Sequence, residues 1–216
     1  MTIVTIPGKQ YDSNVYLLSG KKPAIVDTGT GFHSKELISQ LVEHIRIEEI
    51  TQIILTHEHY DHVGGVPELL HALQQKATIL AHQHAVPKLF SGKSSFASLL
   101  GGTMPKITVD TPLQGGEHLL LGDEQFEVLY TPGHSIGSLC LYSKTSQSLI
   151  SGDTVFAYGD YGRYDLPTGD FNALQQSIDK LATLSIQNLY PGHGETIQGE
   201  GNSHLQKTYQ NIHQTV

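Results

Sequence analysis

The chain contains a single cysteine, Cys140, and no tryptophan among its 216 residues. One cysteine excludes an internal disulfide and fits a reducing compartment. Cys140 stands within an apolar run, where it reads as a small core residue. Charge is also scarce. Charged residues make up 16% of the chain, and 13 Lys and Arg against 21 Asp and Glu leave a net charge of −8 with histidine neutral. So few cations argue against the broad basic face by which nucleic-acid binders collect phosphates, and no nucleic-acid partner is expected. The ion-rich composition of hyperthermophilic proteins is missing too. No run of about 18 apolar residues occurs, so no membrane-spanning helix is expected. Residues Met1 to Gly8 offer neither a basic start nor an apolar stretch of about 7–15 residues, so no secretory signal is read and a cytoplasmic protein is expected. At 38% hydrophobic residues the chain is not compositionally disordered. With no linker-like stretch, a single domain over 1–216 is expected.

What the chain has in excess is histidine: 13, as many as Lys and Arg together. Histidine is the commonest metal ligand and the usual proton carrier near neutral pH. The apolar pattern gives those histidines a framework. Val15–Leu18 and Ala24–Val26 read as strands around the turn Ser19–Pro23. Helical spacing runs from Ser34 to Ile45, and a brief buried strand is read at Ile53–Leu55. A helix is expected from Pro67 to about Gln75, with proline in its first turn, and a strand from Ala77 to Ala81. Residues 86–90 read as helical, while 91–95 and 101–102 read as loop. The second half reads as strands at about 107–109, 117–121, 125–130, 138–143 and 148–151. A helix over Phe171–Leu184, a strand at Asn188–Tyr190 and a last helix over about 201–212 complete it. Each half thus holds several strands followed by helices, the mark of two helix-covered sheets rather than strict βα alternation.

The densest chemical signal is Thr56-His57-Glu58-His59-Tyr60-Asp61-His62-Val63-Gly64-Gly65, placed directly after the strand at 53–55. On an extended segment His57 and His59 point to one side and can share a metal. Asp61 and His62 follow as the chain turns and can face a second. Three further donors stand beside glycine where strands end: His134 in Thr131-Pro132-Gly133-His134-Ser135, Asp153 in Ser151-Gly152-Asp153-Thr154, and His193 in Tyr190-Pro191-Gly192-His193-Gly194. Loops on a rigid strand scaffold are where functional side chains concentrate. Imidazole and carboxylate together suit zinc, iron or manganese. The other eight histidines are read as ordinary polar residues.

In this order, His57-x-His59-x-Asp61-His62 followed by His134, Asp153 and His193 resembles the metallo-β-lactamase superfamily, from the loop at Asp27 through His193. The resemblance implies an α+β fold, a four-layer αβ/βα sandwich of two mixed sheets flanked by helices. It implies two divalent metal ions, zinc first, with iron or manganese also accepted. His57, His59 and His134 would hold one ion, Asp61, His62 and His193 the other, and Asp153 would bridge them. Asp61 and Asp153 are the carboxylates expected at the reaction centre. Asp27 matches an aspartate that orders such sites.

Within the superfamily, His at position 59 separates the chain from the oxygen-reducing diiron branch, which carries Glu there. Asp at 153 separates it from the common β-lactamase classes, which carry Cys or Ser. Asn14, the stretch Gly162-Arg163-Tyr164-Asp165-Leu166-Pro167 and the segment around His193 resemble the glyoxalase II group of thioester hydrolases. The implied activity is hydrolysis of a thioester of the hydroxyacylglutathione type by a hydroxide shared between the two metals. A small, anionic thioester is the expected partner, for a monomer or homodimer. The chain runs 23 residues beyond His193, too few for the C-terminal helical domain of full-length glyoxalase II, which leaves the thiol carrier open. Persulfide dioxygenation with one iron and lactone hydrolysis are the alternatives on the same scaffold. Arg163 and Asp165 are candidate substrate contacts or partners of each other. Residues 85–106, with Phe90, Phe96 and Met104, are a candidate wall over the substrate.

Overall fold

A computed structural model describes residues 3–93 and 95–214, with the side chains of residues 95 and 96 outside the description. The chain forms two compact units: Met1–Leu113 with Leu120–Glu124, and Gln114–Leu119 with Gln125–Val216. Among the described residues no helix is long and apolar enough to cross a membrane.

The first unit is built on a six-stranded mixed sheet: β1 (Ile3–Ile6), β2 (Val15–Leu18), β3 (Ala24–Val26), β4 (Gln52–Leu55), β5 (Thr78–His82) and β6 (Thr111–Leu113), adjacent in chain order. β1 to β3 pair antiparallel, and β3 to β6 pair parallel. Parallel strands are covered on both faces and therefore read as continuous apolar runs. Ile25, Ile53 and Ile79 meet in register on one face and pack against Leu37 and Leu41 of α1 (Ser34–Val42). After β4 the chain makes a short helix, α2 (Tyr60–Val63), and then α3 (Val66–Ala72), whose Leu69 enters the same core. α4 (Val86–Ser91) and α5 (Ser95–Leu99) precede β6.

A five-stranded mixed sheet of β7 (His118–Leu121), β8 (Glu124–Tyr130), β9 (Leu139–Ser143), β10 (Ser148–Gly152) and β11 (Asn188–Pro191) belongs to the second unit except for Leu120, Leu121 and Glu124, which fall in the first. β10 pairs antiparallel with β9 and parallel with β11. The crossover between β10 and β11 contains α6 (Phe171–Ala182), as a parallel connection requires. Asp170 caps α6 by accepting from Ala173 N–H at 2.9 Å. Leu174, Ile178 and Leu181 of α6 and Leu205 and Ile212 of α7 (Gly201–Gln214) pack on Cys140, Leu149 and Leu189.

The expected elements recur, with differences: α2 had no assigned element, and the helix expected to about Gln75 ends at Ala72. β1 had no assigned element; it is a partly buried strand whose partner, β2, supplies the pairing. The helix expected to Ile45 ends at Val42, and Ile45 packs on the core from the turn beyond it. No strand forms at 107–109. Ile107 is held by its N–H bond to the Leu89 carbonyl (2.9 Å), and the strand starts at Thr111, where Pro112 is tolerated at the sheet edge. α5 starts at the last residue of the stretch 91–95 expected as loop and otherwise covers residues to which no element was assigned.

Candidate metal centre

Each unit gathers part of the expected donor set at the carboxyl ends of its strands. In the first unit the donors follow β4. His57 is buried and its Nε2 lies 3.1 Å from His59 Nδ1. The His57 and His62 rings lie 4.0 Å apart, and His62 Nε2 is 3.8 Å from Asp61 Oδ2. Beneath them stands Asp27, buried and in the left-handed region at φ 60°, a conformation that Asp adopts more readily than most non-glycine residues. Asp27 Oδ1 accepts the Thr56 N–H at 2.8 Å, and Oδ2 accepts the Thr56 hydroxyl at 2.7 Å and His62 Nδ1 at 2.8 Å. A carboxylate only accepts, so His62 Nδ1 carries the proton and Nε2 presents its lone pair.

The turn is held from outside as well. The Asp61 carbonyl accepts from Ser13 N–H at 3.0 Å, and the His62 carbonyl accepts from Thr28 N–H at 2.7 Å. Asp12 ties the neighbouring loop: its carboxylate accepts from Thr30 N–H at 2.7 Å and lies 2.6 Å from His33 Nδ1.

In the second unit the donors come from three separate loops. His134 follows β8, Asp153 ends β10, and His193 follows β11. Asp153 Oδ2 lies 3.5 Å from His134 Nε2 and 3.7 Å from His193 Nε2. His134 Nδ1 lies 2.7 Å from the Arg163 carbonyl oxygen, which only accepts, so Nε2 is again the atom with the lone pair. Gly162 makes this contact possible. A Cβ there would fall 1.9 Å from the Asp153 carbonyl oxygen and 2.9 Å from His134 Nδ1. His193 is the more open donor, 35% exposed, with Phe156 edge-on at 6.4 Å.

These distances test the fit of a metal. Separations of 3.5–3.8 Å between imidazole nitrogen and carboxylate oxygen exceed hydrogen-bonding range. They suit donors that each stand about 2.0–2.2 Å from a shared ion. The 3.1 Å between His57 Nε2 and His59 Nδ1 suits the same arrangement. A ligating histidine whose second nitrogen is fixed by a carboxylate or a backbone carbonyl is the usual support of a metal site, and it occurs once in each unit. The donors fit divalent metal.

All seven predicted ligands therefore stand in the two clusters, and Asp27 touches one of them. Arg163 contributes its backbone to His134. Its side chain pairs with Asp165, Nε to Oδ1 at 2.8 Å and Nη2 to Oδ2 at 2.7 Å, both side chains more than half exposed. The Arg163 guanidinium holds the Asp165 carboxyl down to about 2. Of the candidate wall, Met104 is buried in the core and Phe90 is exposed, while the Phe96 side chain lies outside the described residues. Thr56 and Gly162 were not singled out from the sequence. Their only signals there were adjacency to His57 and to Arg163.

Comparison with known proteins supplies the context for these clusters. The sequence profile of the metallo-β-lactamase superfamily matches residues 8–193. A probable metallo-hydrolase of Methanocaldococcus jannaschii is 36% identical over 197 residues, 89% of this chain and 93% of that protein. An atrochrysone carboxyl ACP thioesterase of Aspergillus fumigatus is 27% identical over 86% of this chain and 52% of that protein. Among solved structures, the B3 metallo-β-lactamase BLEG-1 is 29% identical with a TM-score of 0.79, and TTHA1623 in a di-iron-bound form is 31% identical with a TM-score of 0.75. Each match covers 94% of this chain and 96% of the other. Two mixed sheets flanked by helices, the ordered donors and the profile match together establish that the chain belongs to the metallo-β-lactamase superfamily.

Proposed function

We propose that the protein is a dinuclear metallo-hydrolase that cleaves thioesters, with hydroxyacylglutathione-type compounds as the small-molecule substrates. The carrying observation is the pair of tautomer-fixed histidines, His62 on Asp27 and His134 on the Arg163 carbonyl, each aiming Nε2 at further donors. His57, His59 and His134 are assigned to one ion, Asp61, His62 and His193 to the other, and Asp153 to both. A thioesterase relative and a di-iron-bound relative support the chemistry and the nuclearity. The donors accept zinc, iron or manganese, with zinc the first assignment.

Bound at these donors, two divalent ions supply a water nucleophile at neutral pH and Lewis-acid polarisation of the carbonyl. The chain's own groups make that possible. Asp27 and the Arg163 carbonyl keep the imidazoles in the ligating tautomer. Thr56, donating to Asp27 Oδ2, keeps that carboxylate in place. Burial of His57 and His62 excludes competing water from their nitrogens. In balance, water adds its oxygen to the acyl carbon, the carbon–sulfur bond breaks, and the products are an acid and a thiol.

The test is hydrolysis of S-D-lactoylglutathione by metal-loaded protein, followed by thiol release, with Asp153→Ala as control. Turnover that disappears in the variant is expected. Nitrocefin turnover exceeding thioester turnover would move the substrate to β-lactams. Oxygen uptake with sulfite formation from glutathione persulfide would move the reaction to dioxygenation, and lactone opening in preference to thioester cleavage would replace the substrate class.

A further inference from the structure

Acidic residues are unevenly spread. Residues 69–109 contain four lysines and no Asp or Glu, while the other 175 residues hold all 21 acids against nine Lys and Arg. This 41-residue stretch is the cationic part of an anionic chain. Its lysines, Lys76, Lys88, Lys93 and Lys106, are all exposed, and among the described residues none forms an ion pair. Of the nine cations elsewhere, Lys9, Arg46 and Arg163 pair with Glu36, Glu49 and Asp165, and the others share their surface with the 21 acids; what sets 69–109 apart is that it holds cations and no acid at all.

Among the described residues, the two most exposed large apolar side chains lie on the same stretch, Phe90 on α4 at 66% and Leu99 on α5 at 78%. Single exposed apolar residues are ordinary. Here they accompany three unpaired lysines. Lys88 lies two residues before Phe90, Lys93 follows Gly92, and the Lys106 stem fills the space in front of Gly92. Lys93, Ala97, Gly102 and Met104 line an adjacent hollow of about 390 Å³. The stretch also abuts the metal-ligand turn. Gly102 approaches Tyr60, which stands between His59 and Asp61, so closely that a Cβ would fall 2.1 Å from the hydroxyl.

Resting on the thioester hydrolysis proposed above, we propose that the α4–α5 face docks a small acidic protein that carries the acyl thioester. Apolar anchors rimmed by cations have the anatomy of a protein interface. Charge of one sign, unpaired within the chain, steers an anionic partner and makes the encounter salt-dependent.

The test compares one acyl group on two carriers: lactoyl-loaded acyl carrier protein and S-D-lactoylglutathione. The expected result is at least about tenfold higher kcat/KM on the carrier protein at low salt. The Lys88→Glu/Lys93→Glu/Lys106→Glu variant should lose that preference while keeping lactoylglutathione turnover, and Phe90→Ser should lower only the carrier rate. Equal rates on the two carriers, or a charge reversal without effect on the carrier rate, would overturn the docking face. If neither thioester is cleaved, the hydrolase reading fails, and titration of fluorescently labelled carrier protein into the metal-loaded chain still decides docking. Binding lost in the triple variant supports it, and absence of binding overturns it.

Discussion

The two donor clusters reach similar chemistry by opposite means. In the first unit four donors lie within six residues after one strand, and their support is a buried side chain, Asp27. In the second unit three donors are scattered over 60 residues, from 134 to 193, and the support of His134 is a backbone carbonyl. A contiguous cluster needs one well-placed turn and a carboxylate beneath it. A dispersed one needs three strand ends in register, so the sheet itself does the positioning. The first arrangement is vulnerable to a side-chain deletion, and the second to a change in backbone spacing.

The largest effect is expected where the second cluster converges. Asp153 Oδ2 faces both His134 and His193, so Asp153→Ala removes the donor common to them. Activity should fall by well over the ~100-fold typical of losing an indirect supporter of a ligand. Metal content per chain, measured by elemental analysis, should fall with it. Retention of two ions and of activity would break the assignment.

A matched pair then tests the contrast directly. Asp27→Ala leaves two buried N–H groups and one hydroxyl without their acceptor, at a cost of about 3 kcal/mol in stability and ~10–100-fold in metal affinity. Gly162→Ala is the equivalent perturbation in the second unit, because its Cβ would push the 162–163 backbone away from the Asp153 carbonyl and from His134 Nδ1. It should cost about 1–3 kcal/mol by overpacking and a similar factor in affinity. Urea denaturation and metal competition titrations of the two variants give both numbers. A neutral Gly162→Ala would mean that His134 does not depend on that backbone spacing.

Cys140 offers a smaller, separate check. It is fully buried under α6, and burial pushes its thiol up to about 11. The thiolate is the reactive form, so the native protein at pH 8 should resist iodoacetamide, and urea should expose the thiol. Mass spectrometry before and after denaturation reads this out.

How much was legible in the sequence follows the same division. The His57–His62 run declared itself because its donors are adjacent and follow a strand. His134, Asp153 and His193 were legible through their glycines, which mark strand ends. Helices α1 and α6 announced themselves by apolar spacing. β1 and α5 did not, because one is paired only through β2 and the other is five residues long. Thr56 and Gly162 were illegible for a related reason: a hydroxyl under a carboxylate and a missing Cβ leave no pattern in the chain. Arg163 was noticed for its guanidinium, whereas His134 uses its carbonyl.

That last point carries the smallest predicted effect. If the second cluster rests on backbone, removing the side-chain pair beside it should matter little. Arg163 and Asp165 are both more than half exposed, where solvent screens an ion pair to near nothing. The Asp165 carboxyl is depressed to about 2 by Arg163, so what stability the pair gives is present above the ordinary carboxylate range and is lost as pH falls through about 2. Asp165→Asn should therefore leave the melting temperature at pH 7 and the metal content unchanged, since the Arg163 carbonyl still faces His134 Nδ1. A fall in metal content would show that the exposed pair holds the 162–165 backbone in place, and the contrast between side-chain support in one unit and backbone support in the other would then disappear.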